Sequence, residues 1–178
     1  MEHPLRLQRL SEPWLPQIMS LDRRSMNSGW SEPSFLQELT RTSTTVLGVV
    51  SAEALWGFGI CWQILEEAHL SILAIAPEHQ GKSLGKWLLW GLLSAAATQR
   101  AEWTLLEVRA SNQRALNLYH FFGFSVFGQR AKYYADPTED ALLLWRKGLN
   151  TDQFQADLYL WQKAIHTALG EQGFCIES

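Results

Sequence analysis

The sequence predicts an α/β (α+β) fold with a mixed, mostly antiparallel central sheet of about seven strands flanked by helices. Three β-rich apolar runs follow one another between Thr44 and Ala76, divided by short polar breaks, which is typical of an antiparallel meander. A strand, a long apolar helix and a second strand follow from Leu70 to Arg109, which predicts one parallel pair of strands. The chain has 178 residues, a length that suits one domain.

The predicted order of elements is β-α-α-β-β-β-α-β-α-β-β. Alternating residues from Leu5 to Leu10 predict the first strand. Ser11 and Ser31 each precede a Glu-Pro pair, which is typical of a capped helix start, so two helices are predicted there. Their apolar residues are Leu15, Ile18, Met19 and Met26 in the first helix, and Phe35, Leu36 and Leu39 in the second.

The second half of the domain follows the meander. Pro77 ends the third β-rich run because proline cannot continue a paired strand. The elements predicted after it are a helix from Ser83 to Arg100, a strand from Trp103 to Arg109, a helix from Asn112 to Phe122 closed by Gly123, and strands from Phe124 to Arg130 and from Asp140 to Arg146.

A further helix is predicted from Thr151 to Leu169, with Gly170 as its stop. We interpret residues 1–149 as one domain and residues 150–178 as a C-terminal helical extension. The helix either packs on its own domain or serves as a docking or dimerisation helix. Its apolar stripe is Phe154, Leu158, Trp161, Ile165 and Leu169.

Composition excludes several classes of function. The net charge of −3 gives no basic surface for nucleic acid. Cys61 and Cys175 show neither CxxC spacing nor a metal-ligand set, which favours a reducing, cytoplasmic setting and no metal. The apolar stretch from Trp87 to Ala97 is too short to span a membrane, and the N-terminus lacks the apolar core of a signal peptide. Nine tryptophans indicate an aromatic core or an apolar contact surface.

A glycine-containing turn from His79 to Lys86 lies between a strand and the long apolar helix. Free backbone N–H groups and the helix dipole favour a pyrophosphate at such a helix start, and Lys82 and Lys86 add positive charge. The alternative is that Ser83 is an ordinary N-cap in a glycine-rich turn.

This turn resembles the coenzyme A signature of GNAT acetyltransferases, Gln/Arg-x-x-Gly-x-Gly/Ala, with Ser83 in place of the middle glycine. Ser83 would crowd the cofactor or donate a hydrogen bond to a phosphate. The block from Leu105 to Asn112, followed by Ala115 to Tyr119 and Phe122 to Phe124, is similar to that of the RimI-type ribosomal-protein-alanine N-acetyltransferases. The resemblance covers about Ser31 to Arg146 and implies the GNAT fold, with acetyl-CoA as cosubstrate.

The resemblance implies that Glu107 is the general base and Tyr119 the general acid of an acetyl transfer by direct attack of a bound amine. Because a free glutamate has a pKa of about 4.3, Glu107 needs a raised pKa or an intervening water to act as the base. The alternatives are a salt bridge between Glu107 and Arg109 and a core role for Tyr119. Cys61 is expected to be buried, and His69, His79 and His120 show no clear catalytic partner.

The resemblance also implies the cofactor contacts. The strand that carries Leu73 is expected to part from its parallel neighbour after a bulge, so that pantetheine fills the gap against backbone groups. An ordinary buried strand is the alternative. The implied contact residues are Leu73, Ala74, Ile75, Gln80, Gly81, Lys82, Ser83, Leu84, Gly85, Lys86 and Asn112, of which Asn112 is also an expected N-cap.

The expected acceptor is a protein N-terminus. Near pH 7 roughly a tenth of an α-amine is neutral, against under about a thousandth of a lysine amine. The resemblance suggests small N-terminal residues and ribosomal proteins as substrates, with Trp30, Tyr133 and Tyr134 as groove residues or, equally, core residues. The alternatives are an acetyltransferase for a polyamine or aminoglycoside and a non-catalytic acetyl-CoA-binding module.

Overall fold

A computed structural model describes residues 4–177. Seven strands form one sheet in the order β1-β2-β3-β4-β5-β7-β6. The predicted order of elements and the mixed sheet are confirmed. The strands are β1 (Leu5–Arg9), β2 (Thr44–Ser51), β3 (Ala54–Ile64), β4 (Glu67–Ile75), β5 (Trp103–Arg109), β6 (Ser125–Ala135) and β7 (Thr138–Lys147).

Within residues 4–177, five α-helices cover the two faces of the sheet. One core cluster joins the first two helices to β2, β3 and β4, and a larger cluster joins the other three helices to the opposite face. Short 3-10 turns at Glu12–Trp14 and Pro77–His79 connect some elements. The helices are α1 (Leu15–Ser25), α2 (Glu32–Thr40), α3 (Leu84–Thr98), α4 (Gln113–Phe121) and α5 (Asp152–Glu171).

The parallel pair consists of β4 and β5, and it is short. Only Glu67–His69 of β4 pairs with Trp103–Leu105 of β5. On the other side of β4, Ile60 pairs with Ile72 while Cys61 pairs with Leu70, so Ser71 is an extra residue that forms a bulge. The pairing of β4 with β5 thus ends at His69, two residues before this bulge, and the predicted opening between the two strands is confirmed.

The helix starts differ from their predicted forms. The Ser31 side chain accepts from the Ser34 N–H and caps α2, as expected. Ser11 makes no side-chain cap bond, because a 3-10 turn separates it from α1. The long helix begins at Leu84 and ends at Thr98, so the predicted end at Arg100 is two residues too late. Among the described residues, none of the helices has the length and apolar character that crossing a membrane requires.

Helix α5 packs along α3 and completes the larger core cluster. Four residues of its apolar stripe, Phe154, Leu158, Ile165 and Leu169, are buried in that cluster. The Trp90 indole N–H on α3 donates to the Leu158 carbonyl at 2.9 Å. These contacts show that α5 packs against α3 and the larger core cluster of the same chain.

The predicted stop at Gly170 is wrong. The helix continues through Gly170 to Glu171, and Gly173, with φ +86°, reverses the chain. The Phe174 N–H then donates to the Leu169 carbonyl at 3.0 Å, which satisfies a carbonyl at the helix end. Glycine in an exposed last turn costs about 1 kcal/mol at most relative to alanine, too little to end a helix that tertiary packing holds.

We expect Phe154→Ala to destabilise the protein by about 3–5 kcal/mol, because it deletes a fully buried ring and leaves a cavity between α5 and the rest of the core. Urea unfolding followed by circular dichroism measures this free energy. Leu160→Ala is the matched control, since Leu160 lies on the same helix but is 61% exposed, and its effect should stay within about 0.5 kcal/mol. Equal, small effects of both changes would contradict the packing of α5 on the core.

Candidate functional site

A cleft opens where β4 and β5 part. It consists of two adjoining cavities, one of about 500 Å³ beside the turn from His79 to Lys86 and one of about 350 Å³ beside Glu107. We call them the turn cavity and the Glu107 cavity. Leu73, Asn112 and Tyr119 line both, so the two cavities are neighbours.

The turn combines two left-handed residues with a helix start. Gly81 has φ +77° and Ser83 has φ +61°, both in the region that favours glycine. Ser83 stands at the N-cap position of α3, but its side chain makes no cap hydrogen bond. The interpretation of Ser83 as an ordinary N-cap is therefore wrong. Ser83 instead keeps the backbone form that a glycine would adopt there.

The structure brings most of the predicted turn residues to the cavity. Gln80, Gly81, Gly85 and Lys86 line the turn cavity. Lys82, Ser83 and Leu84 do not line it, and the Leu84 side chain is buried in the core. A cofactor role for those three residues rests on their backbone groups and, for Lys82, on its charge.

Arg114 is a candidate site residue that the sequence did not reveal. It lies in the first turn of α4, lines the turn cavity, and donates to the Gln80 side chain at 2.9 Å. Gln80 in turn donates to the Ile75 carbonyl at 2.9 Å, so the turn is tied to both β4 and α4. The chain brings together residues 34 positions apart, and only the packing of α4 beside the turn makes the guanidinium a neighbour of the helix start.

The end of β4 presents a free edge to the cleft. Leu73, Ala74 and Ile75 pair with β3 on one side, whereas the pairing with β5 on the other side ends at His69. All three residues line the turn cavity. No strand pairs with their cleft side, where the Ile75 carbonyl accepts from the Gln80 side chain, so the alternative of an ordinary strand paired on both sides is wrong.

Tyr119 and Asn112 lie on α4 at the junction of the cavities. The Tyr119 ring packs on Phe124 with centroids 5.6 Å apart and belongs to the core cluster, while it also lines the cleft. Burial raises the pKa of the Tyr119 phenol, so the phenol keeps its proton. The Asn112 side chain accepts from the Ala115 N–H at 3.1 Å, which confirms it as the N-cap of α4.

Glu107 pairs with a histidine, not with Arg109. The Glu107 Oε2 lies 2.7 Å from Nε2 of His69, and both side chains are largely buried. The predicted alternative of a Glu107–Arg109 salt bridge is wrong, and so is the expectation that His69 has no partner. The His69 hydrogen bond lowers the pKa of Glu107 more than burial raises it, so the carboxylate is ionised at neutral pH and the raised pKa considered from the sequence is absent.

Arg109 turns to the hairpin between β6 and β7. Its guanidinium lies 3.4 Å from Glu139 and 4.2 Å from the centroid of the Tyr134 ring. Tyr134 lines the Glu107 cavity, and burial raises the pKa of its phenol to about 12. Of the predicted groove residues, Tyr134 is therefore the one at the cleft.

The other two predicted groove residues lie away from the cavity walls. Trp30 packs on Phe35, with ring centroids 5.4 Å apart, and Tyr133 is 46% exposed beside Tyr134. The loop before Trp30 lines the Glu107 cavity instead, through Met26, Asn27 and Ser28. The buried Asp22 carboxylate anchors this loop by accepting from the Ser28 hydroxyl at 2.9 Å. No motif marks these residues in the sequence.

Cys61 is buried in β3, as expected. Burial raises the pKa of its thiol to about 12, so the thiol stays protonated at neutral pH. The buried position and the protonated state both argue against Cys61 as a nucleophile.

Comparison with known proteins gives a consistent picture. The profile described as the acetyltransferase (GNAT) family matches residues 15–124. A Salmonella typhimurium ribosomal protein bS18-alanine N-acetyltransferase is 32% identical over 137 residues, which is 76% of this chain and 92% of that protein.

Two solved structures share the fold. The crystal structure of the ribosomal-protein-alanine N-acetyltransferase from Escherichia coli superposes with a TM-score of 0.75 and 28% identity, covering 80% of this chain and 93% of that one. The paiA N-acetyltransferase from Thermoplasma acidophilum, solved in complex with coenzyme A, superposes with a TM-score of 0.68, covering 80% of this chain and 98% of that one. At 21% identity, the second likeness concerns the fold alone.

Ser83→Gly should stabilise the protein by about 0.5 kcal/mol, because relief of the left-handed strain exceeds the added entropy of the unfolded chain. Ser94→Gly makes the same change inside α3, where a right-handed residue becomes a poorer helix former, and should destabilise by about 0.5 kcal/mol. Urea denaturation midpoints compare the two. A loss of stability in both variants would show that Ser83 is not under backbone strain.

Proposed function

Because this chain belongs to the GNAT acetyltransferase family, we propose that it is an acetyl-CoA-dependent N-acetyltransferase that acts on a protein N-terminal α-amine. The observation that carries the proposal is the meeting of three features at one cavity. The carboxylate of Glu107, the phenol of Tyr119 and the free β4 edge at Leu73 all border the Glu107 cavity. An acyl transfer to an amine needs a proton acceptor, a proton donor and a fixed acyl donor in this arrangement.

The residues of the turn cavity fit coenzyme A. The start of α3 offers backbone N–H groups, and the left-handed backbone at Gly81 and Ser83 supports their close approach to phosphate. Lys86 and Arg114 line the same cavity and supply positive charge. The backbone edge from Leu73 to Ile75 suits the amide groups of a pantetheine arm, which would lie beside β4 as an extra strand.

The protonation states support the proposed roles. Tyr119 keeps its proton, so its hydroxyl is a donor for a departing thiolate. Glu107 is ionised, so its carboxylate attracts the amine and accepts a proton directly or through a water. The thioester supplies the acetyl group when acetyl-CoA is bound. Because Glu107 is a weak base, an α-amine, part of which is neutral near pH 7, suits the site better than lysine.

The charges of the cleft favour a peptide over a polyamine. Among the described residues that line the two cavities, Glu107 is the acidic one, while Lys86, Arg109 and Arg114 are basic. A polycation would meet net repulsion there. The relatives that act on ribosomal protein bS18 make a ribosomal protein the candidate substrate, with alanine at its N-terminus. Retention of both Glu107 and Tyr119 in the cleft disfavours a non-catalytic binding module.

Further assignments belong to the same proposal. Tyr134 is proposed as a wall of the peptide groove, with Tyr133 and Trp30 acting through the shape of the adjoining hairpin and loop. Residues 150–178 are proposed as a helical extension that supports the domain of residues 1–149 in cis. A cytoplasmic location stays a prediction.

The purified protein should release free thiol from acetyl-CoA in the presence of an Ala-initiated peptide and acetylate that peptide at its α-amine by mass spectrometry. Glu107→Gln should lower kcat/KM by about 10²–10⁴-fold, because it removes the proton acceptor without changing the shape of the side chain. Glu53→Gln, on an exposed glutamate, is the matched control and should leave the rate unchanged. Turnover with polyamines alone would favour the small-amine alternative, and binding without any turnover would favour the module.

Arg114→Ala should raise the KM for acetyl-CoA by about tenfold while kcat stays within about twofold, because a lost phosphate contact of a charged donor costs about 1.5–3 kcal/mol of binding. Steady-state kinetics at saturating peptide measures both constants. Arg23→Ala, on an exposed arginine of α1, should change neither. A fall in kcat at unchanged KM would remove Arg114 from the cofactor site.

A further inference from the structure

His69 lies at the apex of the cleft. It is the last residue of β4 that pairs with β5, opposite Leu105, and the two strands part immediately beyond it. Its side chain is 17% exposed and that of Glu107 is 16% exposed, so the hydrogen bond between them is shielded from water. A hydrogen bond to a charged group at 2.7 Å in such a place is among the stronger ones in a protein.

The surroundings of the imidazole select one tautomer. Nδ1 is buried and has no hydrogen-bond partner among the described residues. A proton on Nδ1 would be a buried donor without an acceptor, whereas a lone pair there is less costly. The Trp62 ring packs edge to face against the imidazole, with centroids 4.9 Å apart, and holds it in place. These contacts favour a ring that carries a proton on Nε2, directed at Glu107 Oε2.

Other charged and titratable groups reach the pair from β6. Arg130 acts on Glu107 with its positive charge, and the carboxylate in turn disfavours ionisation of Tyr134. Among the described residues, neither Arg130 nor Tyr134 forms a hydrogen bond with His69. His69 is thus the side chain that fixes the carboxylate by direct contact, while Arg130 and Tyr134 act at longer range.

We propose that His69 is a positioning residue for acetyl transfer, whose Nε2–H holds one carboxylate oxygen of Glu107 and so fixes the orientation of this side chain at the apex of the cleft. In this role the imidazole holds the carboxylate through Nε2–H and does not itself accept the proton of the amine. The proposal rests on the proposed role of Glu107 as the proton acceptor.

A double-mutant cycle tests whether His69 acts through Glu107. His69→Leu should lower kcat about tenfold with the KM for acetyl-CoA unchanged, and His69→Gln, which keeps an N–H donor at a similar reach, should recover most of the rate. In the Glu107→Gln background, His69→Leu should cause no further loss of kcat, because the carboxylate it orients is gone. His120→Leu, on an exposed histidine of α4, is the control and should have no effect.

Two kinetic outcomes would overturn the proposal. One is an equal loss in His69→Leu and His69→Gln, which would indicate a packing role only. The other is a full additional loss in the Glu107→Gln background, which would indicate an effect independent of the carboxylate. Thermal unfolding of each variant, followed by circular dichroism, shows whether the protein is folded under the assay conditions.

The tautomer is measured on the wild-type protein without any substrate. Histidine labelled with ¹⁵N, with the His69 signals assigned by their disappearance in His69→Gln, should show a proton on Nε2 at pH 7. A ring with its proton on Nδ1 and none on Nε2 would overturn the proposal. Because this measurement needs no turnover, failure of the acetyltransferase assay would leave it informative, and the two ideas can fail separately.

Discussion

The site depends on an incomplete strand pairing. β4 and β5 exchange parallel hydrogen bonds over three residues each and then diverge, so no strand pairs with the cleft side of Leu73 to Ile75. The bulge at Ser71 bends β4 at the place where the divergence begins. The crossover through α3 puts a helix start beside the same gap, so residues of the turn from His79 to Lys86 and of the open strand edge line one cavity.

The two proposed catalytic groups are held in opposite charge states by their surroundings. Tyr119 is buried and packs against the Phe124 ring, and this burial disfavours the phenolate. Glu107 is also shielded, but its hydrogen bond to His69 outweighs the cost of desolvation and favours the anion. A protonated phenol and an ionised carboxylate therefore line one cavity at neutral pH. The two pKa values shift in opposite senses because burial dominates at Tyr119, whereas the hydrogen bond from His69 dominates at Glu107.

Much of this was predictable from the sequence, and the failures have physical causes. Alternation and apolar runs predicted the order of elements. The opening between β4 and β5 was implied by the family resemblance, which the turn from His79 to Lys86 and the block around Glu107 carry. The His69–Glu107 contact joins residues 38 positions apart, and its existence depends on strand register, which no local pattern encodes. Arg109 lies two residues from Glu107 in the sequence, which suggested an ion pair between them. In the structure the Arg109 guanidinium instead contacts Glu139 and the Tyr134 ring of the β6–β7 hairpin.

The last residues of the described chain return to the first strand. Cys175 and Glu177 form backbone hydrogen bonds with Leu5, so this segment lies along the outer side of β1. The border of the sheet is thereby covered at Leu5, the first residue of β1. The opposite border is β6, whose pairing with β7 is irregular between Arg130 and Tyr134 and which carries a left-handed residue at Lys132. A distorted strand is a poor template for intermolecular β-pairing, so different features hinder the addition of another strand at the start of β1 and along β6.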